Sequence, residues 1–211
     1  MGIAERKERE KEQRRNHIIE MAKQVFFRDG FESSTMDDIA EVAELSKGTL
    51  YLYFKSKEEV YLSIVNQAQA LLCDKFEEAI EGEKDGLSKI IAIGAVFINF
   101  FREEPDYSIA LNYFIANKVP YDPENRVSRE CHENMMRCFH LVIETLKIGI
   151  RDGSIREDID PMKTALILNV SSQGLIQFIM RTEDIIFQFF NTDPKELVSY
   201  FFDFMQISLK K

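Results

Sequence analysis

Apolar residues recur every three or four positions through most of this chain, and no run of alternating apolar and polar residues interrupts them. A helix of 3.6 residues per turn gathers side chains at that spacing on one face, whereas a strand would gather every second one. The expected fold is therefore all-α. Punctuation agrees: 9 glycines and 5 prolines in 211 residues leave room for short turns only. With 45% hydrophobic and 30% charged residues the chain can build one or two buried cores.

The first helix is predicted from the charged lead-in to Asp29, with Ile18, Ala22, Val25 and Phe26 as its stripe, Gly30 as its stop and Phe31 packing behind the stop. A second, of about two turns, opens at Ser34-Thr35 and carries Met36, Ile39, Ala40 and Ala43. A third is capped by Ser46 and runs from Lys47 to Phe54, with Leu50 and Phe54 facing inward. Ser56 to Glu59 has capping-box spacing and begins a fourth helix that runs to Ile80. Further helices are predicted over 86–102, 105–117, 123–152, 160–182 and 194–209. Ile90–Phe101 is apolar all round and belongs in the middle of a bundle; Asp160-Pro161 is a capped start. Residues 182–193, with Ile185, Ile186, Phe187, Phe189 and Phe190, fit either a short helix or an apolar loop.

Several functions are excluded or disfavoured. The longest apolar stretch is about a dozen residues, short of the roughly 20 that cross a bilayer, and the charged N-terminus lacks the apolar core of a secretory signal, so the cytoplasm is the expected location. Cys73, Cys131 and Cys138 lack zinc-ligand spacing; even with His132 and His140 close to the latter two, no metal or cofactor is expected. No glycine-rich phosphate loop, HExxH motif or carboxylate-histidine cluster is present, and an enzyme is not expected.

The second and third helices, joined by a three-residue turn, have the spacing of a helix-turn-helix. Only the first turn and one face of so short a helix can enter a major groove. That face holds Ser46, Lys47, Gly48 and Thr49 and continues to Tyr51 and Tyr53. Lys47 suits guanine acceptors or a phosphate, Thr49 a thymine methyl, Gly48 close backbone approach, and the tyrosine hydroxyls phosphate oxygens. Lys57, at a helix start, is expected to anchor a phosphate. A formal charge of -9 opposes such a partner, but residues 1–60 carry only -2 of it. Their cations cluster at Arg6, Lys7, Arg9, Lys11, Arg14 and Arg15, then at Lys47, Lys55 and Lys57.

Residues 14–60 resemble the signature of the TetR (tetracycline-repressor-like) family of bacterial transcription regulators. The resemblance rests on Arg14-Arg15-Asn16-His17-Ile18-Ile19-Glu20-Met21-Ala22, Phe26, Gly30, Ser34-Thr35-Met36, Asp38-Ile39-Ala40, Ala43 and the run Ser46 to Glu59. It implies DNA contacts by Thr35, Ser46, Lys47, Gly48, Thr49, Tyr51, Tyr53 and Lys57, with Ile39, Ala40, Leu50 and Phe54 holding the helices together. It further implies an N-terminal helix-turn-helix domain over 1–56 and a ligand-binding and dimerisation domain over 57–211. Two departures stand out: Glu44 where the family commonly has glycine, and Leu52 where a tyrosine is frequent.

Thirteen of the 17 phenylalanines follow residue 60. A cavity for a small apolar or aromatic effector is expected among Phe97, Phe101, Tyr107, Tyr113, Phe114 and Met136, with His140, Gln173 and Gln177 as polar contacts. The last two long helices are apolar on more than one face, so a homodimer through them is expected, as in the family it resembles, with reading heads roughly 34 Å apart. The implied partners are double-stranded operator DNA and a small-molecule effector that releases a repressor from a palindromic site.

Overall fold

The computed structural model describes residues 2–116 and 121–211, apart from the side chains of residues 3, 115, 116, 183–187 and 190. Among these residues it is helical, without strands: α1 (Ile3–Asp29), α2 (Met36–Val42), α3 (Lys47–Tyr51), α4 (Lys57–Ile80), α5 (Gly86–Glu103), α6 (Pro105–Ala116), α7 (Arg126–Asp152), α8 (Pro161–Phe190) and α9 (Pro194–Leu209). Residue 117 of the predicted 105–117 helix, and the side chains of Ile185, Ile186, Phe187 and Phe190, lie outside the description.

The chain forms two compact units, each assembled from two segments. The first is Met1–Ala68 with Asp106–His132; the second is Gln69–Pro105 with Glu133–Lys211. The functional division expected at residue 57 is a separate matter from this packing.

In the first unit, Gly30 ends α1 with φ 81° and its N–H donates to Phe26 O at 2.9 Å. Phe31 then packs on Phe26, ring centroids 5.7 Å apart, which is the contact expected behind a glycine stop. Thr35 and Asp38 cap each other at the start of α2: Asp38 N–H donates to Thr35 Oγ1 and Thr35 N–H to the Asp38 carboxylate. Met36, Ile39 and Ala40 are buried from α2, Leu50 from α3, and Phe54 just beyond it, joining Ile18, Ile19, Ala22 and Val25 of α1. Rings from α6 complete this core. Tyr113 lies 4.8 Å from Phe31 and 5.1 Å from Tyr61 between centroids, and its hydroxyl donates to Glu32 at 2.8 Å.

In the second unit no residue from Gly86 to Phe101 is exposed, in keeping with a central helix. Leu87, Ile90, Ile143, Leu146, Ile155, Ala165 and Leu209 form one buried cluster. Helices α5 and α7 meet backbone to backbone: a Cβ built on Gly86 would stand 2.1 Å from Gly149 N. Asp85 caps α5 by accepting from Ser88 N–H at 2.8 Å, and Asp152 accepts the N–H of Gly86 at 2.8 Å. The α7–α8 turn is tied to the end of α9 by Arg156 N–H to Leu209 O at 2.9 Å. Helix α8 runs on past the expected 182 to Phe190, with a break in helical geometry at Thr182, so the ambiguous segment is largely helix.

Candidate nucleic-acid interface

The reading head is built from α2, its turn and α3. Ala43, Glu44 and Leu45 make the turn, closed by Leu45 N–H to Ala40 O at 2.9 Å. Glu44 takes φ 54°, the left-handed conformation that side chains disfavour and glycine accepts freely. That is the physical demand behind the glycine expected at this position. Ser46 caps α3, its hydroxyl accepting from Thr49 N–H at 3.1 Å and sharing a hydrogen bond with Thr49 Oγ1 at 2.8 Å.

Regular α3 geometry covers Lys47–Tyr51, shorter than the expected Lys47–Phe54; Tyr53 N–H and Phe54 N–H both return to Leu50 O, closing the segment as a turn. The short rod still has two distinct sides. Leu50 and Phe54 are fully buried, while Ser46, Lys47, Gly48 and Tyr51 are exposed, Thr49 and Tyr53 half-buried, and Leu52 outside the core. Thr35 is exposed at the head of α2. Lys47 is held by Asp37 of α2, Nζ to Oδ1 2.7 Å, and that hydrogen bond raises the lysine pKa. Asp37 had no distinguishing signal in the sequence, because the pair is set by the angle between α2 and α3.

Gly48 is informative. A Cβ there would meet only Ser46 Oγ, at an ordinary 3.9 Å, and its backbone is not in the left-handed region. Nothing in the free fold needs glycine, which costs a helix about 1 kcal/mol relative to alanine. The open space above it suits a partner that comes close to the backbone.

Lys57, expected to anchor a phosphate, has intramolecular partners in the DNA-free chain. Its ammonium donates to three carbonyl oxygens, Phe31 at 2.9 Å, Ser34 at 3.1 Å and Glu32 at 3.3 Å, and stands 4.5 Å from the Phe31 ring centre. All three of its protons serve the α1–α2 turn. Arg15, a residue whose role was not legible, lies over the Phe54 ring at 4.9 Å and donates to Ser63 Oγ at 2.9 Å.

The residues expected around an effector are divided between the two units. Tyr107, Tyr113 and Phe114 belong to the first unit, where Tyr107 accepts from Lys23 Nζ at 2.7 Å and Tyr113 joins the Phe31 and Tyr61 rings. Desolvation, then the bond to Glu32, pushes the Tyr113 hydroxyl up to about 12. The second unit contains Phe97, Phe101, Met136, His140, Gln173 and Gln177. Phe97 stacks between Phe76 and Phe101 at 6.4 and 5.0 Å; Met136, Gln173 and Gln177 are half-buried, and His140 is exposed in the single chain. Gln69, not singled out in the sequence, has a buried Oε1 with no hydrogen-bond partner among the described residues. An open groove of about 540 Å³ beside Ile143, Lys147 and Glu157–Met162 contains none of the expected residues.

Comparison with known proteins agrees with this geometry. Residues 18–64 match the model of bacterial regulatory proteins of the tetR family. Over that segment the chain is similar to the TetR family. It is 25% identical over 144 residues to a fatty acid metabolism regulator protein of Bacillus subtilis, covering 68% of this chain and 71% of the relative. Over 55 residues it is 47% identical to the HTH-type transcriptional regulator YfiR of the same organism, covering 26% of this chain and 27% of YfiR. The structure of FadR from Bacillus subtilis in complex with stearoyl-CoA shares the fold, with TM-score 0.67 and 19% identity, covering 90% of this chain and 96% of FadR. With a TetR-type helix-turn-helix at its N-terminal end the chain is a DNA-binding transcription regulator, and no described helix is long and apolar enough to cross a membrane.

Proposed function

We propose that this regulator is a cytoplasmic homodimeric repressor that binds a palindromic operator through α3 and is released by an apolar acyl or aromatic effector. The observation that carries the reading is the two-sided α3: Leu50 buried at 0% exposure, with Lys47, Gly48 and Tyr51 facing out. In this reading Lys47 leaves Asp37 for a guanine or a phosphate, Gly48 admits the groove wall, and Thr49 touches base edges. Thr35, Ser46, Tyr51 and Tyr53 meet phosphates. Lys57 acts by holding the turn that presents α2.

Residues 1–56 then read DNA and residues 57–211 sense and dimerise. The relatives named for fatty acid metabolism and stearoyl-CoA favour an acyl effector. Phe97 and Phe101 would face its chain, and the buried Gln69 Oε1 would accept from a polar group. Helix α4 continues without a break from the first unit into the second, so a displacement of its far part would tilt the reading head. Dimerisation through α8 and α9 is supported by Ile167, Val170, Phe178, Tyr200, Phe204 and Ile207, large apolar side chains that are exposed in the single chain.

A mobility-shift titration with DNA upstream of its own gene tests this, with and without stearoyl-CoA and with sedimentation of the free protein. The expected result is a dimer whose shift is lost in Lys47→Ala/Thr49→Ala and weakened by the acyl-CoA. An unchanged shift in that double variant would refute the role of α3, and a monomer would refute the dimer.

A further inference from the structure

Helix α1 begins about fifteen residues before its first fully buried position, Ile18, and this arm carries charges of both signs. They are sorted. Lys7, Lys11 and Arg14 follow i, i+4, i+7 and lie on one line, which continues in the same spacing to Ile18. Glu5, Glu8 and Glu12 lie on another. Arg6 is held by Glu10 at 2.7 Å, and Arg15 is turned to Phe54 and Ser63. By contrast Lys7, Lys11 and Arg14 are exposed and make no ion pair or side-chain hydrogen bond among the described residues.

Position gives this stripe a partner. Ile18 is the buried line of α1, so the stripe prolongs the side of the helix that faces the reading-head core. Arg15, one residue from Arg14, sits 4.9 Å over Phe54, and Phe54 is flanked by Tyr53 and Lys55 immediately after α3. The arm therefore leaves the body beside the C-terminal end of the recognition helix. From Lys7 to Arg14 the axial distance is about 10 Å at 1.5 Å per residue, comparable to three phosphates of one strand at about 3.4 Å of axial rise each.

We infer that Lys7, Lys11 and Arg14 form an additional contact surface for the sugar-phosphate backbone of duplex DNA, outside the stretch read by α3. This rests on the DNA-binding reading and adds to it a sequence-independent clamp. Cations that carry no intramolecular partner give up nothing within the protein to neutralise phosphates, and each phosphate neutralised releases counterions.

The experiment is fluorescence anisotropy of the full chain with a labelled 40-base-pair duplex of random sequence, between 50 and 200 mM NaCl. Wild type is compared with Lys7→Gln/Lys11→Gln/Arg14→Gln and with the charge-conserving Lys7→Arg/Lys11→Arg/Arg14→Lys. Three phosphate contacts contribute about 2.7 to the slope of log affinity against log salt. For each reading head engaged, the glutamine variant should therefore lose about 40-fold less affinity than wild type across that range, while the charge-conserving variant should match wild type. Equal slopes for wild type and the glutamine variant, with unchanged helicity by circular dichroism, would overturn the clamp alone. A glutamine effect matched by the charge-conserving variant would mark it as structural and also overturn the clamp. No salt-dependent binding by wild type would overturn the DNA-binding reading itself.

Discussion

Replacing Lys57 by methionine separates two roles that DNA-binding data alone would confuse. Methionine keeps a flexible apolar stem and removes the ammonium, so the carbonyls of Phe31, Ser34 and Glu32 lose their common donor. A hydrogen bond involving a charged group contributes about 1.5–3 kcal/mol at full strength. Lys57 is half-buried, so water offsets part of this, and the 3.3 Å bond to Glu32 is weak. Taking about 1 kcal/mol for each of the two shorter bonds and about 0.5 kcal/mol for the contact with the Phe31 ring gives a loss of about 2–3 kcal/mol. With a urea slope of about 2–3 kcal/mol/M, the midpoint should fall by about 1 M. Lys57→Arg should not restore it, because a planar guanidinium cannot point at three converging oxygens. Urea denaturation followed by circular dichroism measures the shift. A midpoint within about 0.2 M of wild type, together with a salt slope of DNA binding reduced by about 0.9, would refute the turn-holding role and restore the phosphate anchor.

Gly86→Ala should cost about 3 kcal/mol or more, because its methyl would meet the Gly149 backbone and no side chain can step aside; thermal denaturation should show a midpoint lower by about 6–12 °C, and no shift would mean the two helices are not in contact. Glu44→Gly relieves a left-handed residue at φ 54°; the relief of about 1–2 kcal/mol exceeds glycine's entropic cost of about 0.5–1 kcal/mol, so the midpoint should rise slightly, and a fall would refute the strain. The pKa of Asp85 is lowered chiefly by the backbone N–H of Ser88, and that of Asp152 chiefly by Ser154. Their folded pKa values lie below the unfolded value of about 4, so the stability they confer is present above that pH and lost as pH falls through the folded values. Asp85→Asn/Asp152→Asn should therefore flatten the acid limb of stability against pH; an unchanged limb would place the acid sensitivity elsewhere.

The helix class, the order of elements and the start signals were legible because they depend on local chemistry. Thr35, Ser46 and Asp160 each accept a backbone N–H of the turn they precede, as their residue type and position predict. Leu50 and Phe54 were legible by spacing. The partners of Lys57 were not: whether a lysine at a helix start also meets three carbonyls depends on where the Phe31–Ser34 turn lies. That α6 packs Tyr113 against Phe31 and Tyr61 was not legible either, because no local pattern reveals which core a helix will join. The extension of α8 through residues 182–190 was ambiguous for a related reason, since its apolar residues fit a helix or a loop equally.

Because each compact unit is stitched from two stretches that alternate along the polypeptide, neither can be finished in the order of synthesis. Residues 69–132 must emerge before the first unit has all its parts, which takes roughly 3–13 s at about 5–20 residues per second. Until then Phe31 and Tyr61 lack the α6 ring that covers them, and a nascent reading head offers bare aromatic surface to chaperones. A fragment cut at residue 56 would leave Phe31 without both Tyr61 and Tyr113 permanently.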